Sequence, residues 1–157
     1  MAPKMIVAMV LACTAACSSL PPQLSGPDLA SRIRAAVPGT EGDIEVFGGA
    51  GWYPYVDSRN ARPHERPFKG AVVITDAGLL FVIWDEDLQR IDVARRIPLA
   101  DIRTIGLDHL GRTPVLQLHL RDRNVHSFGF GEGRDPQAAE RAAASLGARL
   151  ARKEKPA

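Results

Sequence analysis

The stretch from Phe68 to Phe130 constrains this chain most: short apolar runs are broken by turn-forming residues, and none is long enough for a buried helix. Gly70 to Thr75 and Leu79 to Trp84 read as two strands, with Asp76-Ala77-Gly78 as a three-residue hairpin loop and Gly78 supplying the left-handed conformation. That register pairs Thr75 with Leu79 and Val73 with Phe81. Asp85-Glu86-Asp87 forms the next turn, and a strand from about Leu88 to Ile97 carries Ile91 and Val93 on one face, Arg90 and Asp92 on the other. Pro98 ends it, another strand runs near Ile102 to Leu107, and His109 to Pro114 reads as loop. In the last hairpin Leu116, Leu118 and Leu120 share a face, as do Phe128 and Phe130. Opposing Leu118 to Phe128 and Leu120 to His126 brings these sets together and leaves Asp122-Arg123-Asn124 as the loop, with Asn124 left-handed.

Helices flank this region. Asp135 caps one that starts at Pro136 and runs to about Lys153. Ala139, Ala142, Leu146, Arg149 and Leu150 lie near one side of it, so its small residues permit close approach to a sheet, and Gly147 weakens it slightly. Upstream, Pro27 sits at a first helical turn with Ser25 as cap; Leu29, Ile33, Ala36 and Val37 form a stripe with Arg32 and Arg34 off it, and Pro38-Gly39 ends the helix. Ile44 to Phe47 alternates as a strand. Gly48 to Gly51 and the aromatic group Trp52, Tyr53 and Tyr55 follow, then a polar loop to Pro67. The order is a short helix, about seven antiparallel strands and a C-terminal helix, an α+β fold that is mainly antiparallel β.

The segment from Phe68 to Ala151 resembles a PH-like domain of the GRAM type. The pieces that carry the likeness are Val73-Ile74-Thr75-Asp76, Leu80-Phe81, Ile97-Pro98-Leu99 with Ile102 and Ile105, the hairpin from Leu116 to Phe130, and the helix from Asp135. The resemblance implies a small barrel or sheet closed at one end by the C-terminal helix. It leaves residues 28–67 outside the pattern, so they are set apart from a PH-like unit at 68–152, with 153–157 as a tail.

The start of the chain has a different character. Lys4, the apolar run Met5 to Ala12, and small residues before a cysteine make a leader too short to span a bilayer, which needs ~20 apolar residues. It resembles a bacterial lipoprotein signal, occupying residues 1–16, in which Cys17 would be lipidated and become the first mature residue. Cys13 competes, since Val10-Leu11 supplies the usual aliphatic, but it would leave a twelve-residue signal. Residues 17–27 are rich in Pro, Ser and Gly and read as a lipidated tether. Ser18 after the cysteine resembles the outer-membrane sorting pattern, so the resemblance implies a location on the periplasmic face of the outer membrane. Cleavage there leaves no cysteine in the folded part, hence no disulfide, thiol nucleophile or thiolate metal site.

With Lys4 removed, nineteen basic residues face eighteen acidic ones, a net charge of +1. That balance argues against an electrostatic nucleic-acid binder. Asp85-Glu86-Asp87 lacks the spacing, glycine and distal glutamate of a calcium loop, and the hairpin register sends His119 and His126 to opposite faces, so no metal or cofactor is expected. His64-Glu65 with Asp57 and Ser58 has nothing to orient it, and no nucleophile-elbow motif occurs, so the expectation is no enzyme. Arg95-Arg96 and Arg103 offer a small basic patch near the end of the sheet, against which stands the usual pairing of strand-side arginines with carboxylates such as Asp92 and Asp101. Trp52, Tyr53 and Tyr55 are candidate partner-binding anchors, with a lid over the sheet edge as the competing role for Trp52. Arg32 and Arg34 are candidate headgroup contacts. The expected function is a non-catalytic module for an envelope protein or peptide, the alternatives being an anionic-lipid binder and, last, an envelope hydrolase.

Overall fold

A computed structural model of the chain describes residues 22–57, 59, 66–130 and 135–154. The expected leader, Cys13 and Cys17 lie outside these residues, as do Ser58, His64 and Glu65. Seven strands form one antiparallel sheet: β1 (Glu45–Pro54), β2 (Phe68–Thr75), β3 (Gly78–Asp85), β4 (Arg90–Pro98), β5 (Ile102–Leu110), β6 (Thr113–Leu120) and β7 (Val125–Gly129). The spatial order is β4-β3-β2-β1-β7-β6-β5. Helix α1 (Leu29–Ala36) precedes the sheet and α2 (Ala138–Glu154) follows it. This is the α+β, PH-like sheet with a short N-terminal and a closing C-terminal helix.

β1 holds the centre. It runs antiparallel to β2 from Glu45↔Ile74 to Trp52↔Phe68, and to β7 from Gly51↔Gly129 to Pro54↔His126. The expected boundary at residue 68 therefore falls between two paired strands. A bulge between Phe47 and Ala50, with Gly49 at φ 68°, offsets the alternation. Phe47, Ala50 and Trp52 thereby all meet the main core, which also gathers Val72, Phe81, Leu118, Phe128 and, from α2, Ala139, Ala142 and Leu146. The alanines bring the helix close, as its sequence predicts.

The opposite face of β2, β3 and β4 is covered too. Leu24, Leu29, Ile33 and Val37 pack there with Ala71, Val73, Leu80 and Val82. Leu24, expected in a polar tether, is fully buried in a short 3-10 turn at Pro22–Leu24. Burial on both faces explains one error of register. The first hairpin pairs Thr75 with Gly78 and Val73 with Leu80, so its loop is Asp76-Ala77 and not three residues. With apolar residues needed on both sides, a one-residue slip left no visible penalty in the pattern.

The last hairpin is offset by two. Leu116 faces Phe128 and Leu118 faces His126, and Leu120 closes the loop through its N–H to the Asn124 carbonyl at 2.8 Å. Arg123, not Asn124, takes the left-handed position at φ 72°. Asn124 is instead held by Asp122, whose carboxylate accepts from its backbone N–H at 2.9 Å and its side-chain amide at 2.7 Å. A shift of two preserves every face, so the apolar pattern could not distinguish the registers. His109 to Pro114 is mostly strand, with only Gly111-Arg112 between β5 and β6.

Candidate functional site

Strand alternation splits the aromatic group of β1. Trp52 pairs with Phe128 and points into the core; Tyr53 pairs with Ser127 and points to the other face. Tyr55 follows in the turn at φ 60°. Trp52 and Tyr53 are thus strand residues and not loop residues, and the three do not share one surface. The expectation of a loop failed because β1 extends through the glycines, which the bulge absorbs.

Trp52 is half-buried against Phe68, Phe81 and His126, with ring centroids 5.5, 5.5 and 5.7 Å away. Its indole N–H donates to Nδ1 of His126 at 3.2 Å. With Nδ1 accepting, the imidazole is neutral and its proton sits on Nε2. That Nε2 is buried with no hydrogen-bond partner among the described residues. The histidine is fully buried, and desolvation first, then the charge of Arg95, lowers its pKa from 6.5 to about 4, with Asp122 opposing. Trp52 is a core-facing residue of the central strand. The residues at this end that face water are Tyr55, 65% exposed and 5.2 Å from the His126 ring, and Phe68, 57% exposed on Trp52.

A second feature adjoins Tyr55. An open cleft of ≈ 460 Å³ is lined by Tyr55, Asp57, Arg59, Arg103, His119 and Arg123, with Asn124 and Val125. Asp57 binds the Arg59 guanidinium at 2.6 Å and also accepts its backbone N–H at 2.9 Å. Hydrogen bonds from Arg59 hold the Asp57 carboxyl down to about 2. Arg103 is the extra residue of a bulge in β5, where Ile102 pairs with Leu120 but Thr104 with His119. Beneath the segment that carries Asp57, the buried Ser127 hydroxyl donates to the Val56 carbonyl at 2.7 Å and accepts from Gln117 at 3.2 Å.

The remaining candidates divide. Arg32 donates to the carbonyls of Gln23 and Ser25 and pairs with Asp28 at 3.2 Å, tying the 3-10 turn to α1; Arg34 is exposed. His119 pairs with Val125 and His126 with Leu118, so they face opposite sides as the alternation requires. Asp85 accepts the Leu88 N–H at 2.9 Å, a turn-forming bond, and no metal-binding group of His, Cys, Asp or Glu occurs among the described residues. Arg95 faces Phe81 across β3 and β4, Arg96 donates to the Pro38 carbonyl at 3.3 Å, and Arg103 opens on the cleft, so the three form no common patch and are not paired with Asp92 or Asp101.

Sequence reasoning missed Phe68, Arg123 and the pairing of Trp52 with His126. These depend on β1 lying between β2 and β7, and no local pattern records that juxtaposition. It also missed the setting of Arg149, 3% exposed, which reaches Asp76, Asp43 at 3.5 Å and Glu45 at 3.8 Å, fastening α2 to the first hairpin and the start of β1.

No family model matches the chain, and no curated protein matches it.

Proposed function

We propose that this chain is a lipid-anchored, non-catalytic binding module of a bacterial cell envelope. Cys17 carries the lipid and holds the domain on the periplasmic face of the outer membrane, where it binds an envelope protein or peptide. The observation that favours this reading is the aromatic end of the sheet. Tyr55 and Phe68 present large apolar surfaces to water, while the Trp52 and His126 pair beneath them fixes their positions. Rigid aromatics backed by a packed support are the type of residue that dominates protein–protein affinity. The site thereby moves from Trp52, Tyr53 and Tyr55 to Tyr55 and Phe68, because Trp52 supports the core and Tyr53 lies across the other face. The alternative of a headgroup surface on α1 loses weight, since Arg32 is occupied by its own segment.

In-cell crosslinking of the full-length protein, followed by purification and mass spectrometry, tests the reading. One envelope partner in near-equal amount is expected. It should be lost both in Cys17→Ala, through mislocalisation, and in the Tyr55→Ala, Phe68→Ala double variant, which keeps its far-ultraviolet CD spectrum. No partner, or capture unchanged by the double variant, refutes it.

A further inference from the structure

We infer that the cleft between the end of β1 and the β6–β7 turn is a binding site for a phosphate group. This goes beyond the envelope-adaptor reading and holds whether or not Cys17 carries a lipid.

Charge is the first ground. Arg59 is balanced by Asp57 at 2.6 Å and lies near Asp108. Arg103 and Arg123 line the same cleft, are exposed, and have no side-chain hydrogen bond or ion pair among the described residues. His119, half-buried between Thr104 and Val125, adds a ring nitrogen that can donate. The lining therefore carries two cations beyond what its carboxylate neutralises, on separate elements that converge.

Backbone geometry is the second and independent ground. The described residues include three non-glycine positions with positive φ, and two of them, Tyr55 at 60° and Arg123 at 72°, line this cleft. Arg103 sits at the β5 bulge, a device that re-aims one side chain out of the alternating pattern. Left-handed backbone is disfavoured for a long side chain, and glycine or asparagine would relieve it. Asn124 stands beside Arg123, yet the arginine takes the left-handed position. The three-residue turn itself calls for one left-handed residue, which Arg123 supplies; with Tyr55 and the β5 bulge beside it, backbone irregularity gathers around this cavity, as it does at ligand sites.

The chemistry of the donors selects the ligand. A carboxylate is planar and pairs edge to edge with a single guanidinium fork. Arg103 and Arg123 approach from different elements, with His119 as a third donor, which suits a group whose acceptor oxygens point outward tetrahedrally. The ≈ 460 Å³ volume leaves room for what the phosphate is attached to. That group has two sources with the same chemistry, a soluble phosphate ester or the headgroup of an anionic phospholipid.

The test uses full-length protein in a non-ionic detergent with glycerol 3-phosphate, and separately with nanodiscs of phosphatidylglycerol against phosphatidylcholine. Binding is read by calorimetry and by the NMR shift of the His119 ring. Arg103→Gln and Arg123→Gln, both exposed and so compatible with folding, should each weaken binding at least about tenfold, the scale of one lost charge-assisted bond. Glycerol phosphate binding that shifts His119 and fails in both variants supports a soluble ligand. Binding only to phosphatidylglycerol nanodiscs, lost in the same variants, supports a headgroup. Binding to neither, or binding that both variants retain, overturns the site.

Discussion

Acidification is expected to loosen this fold through His126. The imidazole is fully buried, accepts the Trp52 indole N–H, and faces Tyr55, Arg95 and Asp122. Its pKa falls from 6.5 to about 4 on folding. A base whose pKa is depressed in the folded state binds protons more readily when unfolded, so its contribution is intact above 6.5 and is lost as pH falls through the folded value. Across the whole interval the linkage is about 3 kcal/mol, and from about pH 7 to about pH 5 it is about 2 kcal/mol. Urea unfolding at those two pH values measures the loss directly. The other histidines and the carboxylates also titrate, so the comparison is with His126→Gln, which offers the indole an acceptor and carries no proton equilibrium. That variant should start less stable and lose about 2 kcal/mol less over the same pH interval. An equal pH dependence in both proteins, or a His126 ring that titrates by NMR at its ordinary value, refutes the reasoning.

Two further perturbations read the same framework. Gly78→Ala places a Cβ 2.1 Å from the Ile97 carbonyl oxygen, whereas Gly111→Ala, at φ 63°, meets nothing within 4 Å. The first should cost about 2–4 kcal/mol through displaced backbone and the second about 1 kcal/mol through conformation alone, measured by denaturant midpoints; equal losses would discredit the steric account. Arg149 is 3% exposed while its partners Asp43, Glu45 and Asp76 are 78%, 48% and 66% exposed, so removing it leaves carboxylates that water can reach. Arg149→Met should therefore stay within about 1 kcal/mol of wild type while Arg149→Ala loses about 2–4 kcal/mol by vacating packed volume, and a methionine variant as weak as the alanine one would assign the role to charge instead.

The seven strands and both helices were legible because period-two apolar runs and Gly or Asp turns mark them locally. Faces were legible where polar residues alternate with leucines along a strand, as Gln117 and His119 do in β6. Val115 and Gln117 oppose Leu116 and Leu118 as the alternation requires, and the separation of His119 from His126 followed from it. Registers were not legible where the pattern is degenerate. Val72 and Val73 are both fully buried, one under α2 and one under α1, so composition carried no preference for either slip. The site was least legible. Tyr55 stood out in the sequence only as one of three aromatics and Arg123 only as a loop residue, and their meaning lies in a left-handed backbone around a cleft assembled from β1, β5, β6 and the β6–β7 turn.

The place of β1 also bears on how the chain reaches this state. β1 to β4 form one meander of neighbouring pairs, and β5 to β7 with α2 form another. They are sewn together where β1 meets β7, with Trp52 and His126 separated by 74 positions along the chain. The other pairings close over two to four residues or, between β1 and β2, over 13, whereas this seam has to overcome the entropy of a much longer closure before its hydrogen bonds form. Until it closes, each meander exposes an unpaired strand. The Trp52 and His126 contact lies on this seam and joins the two half-sheets in the folded state.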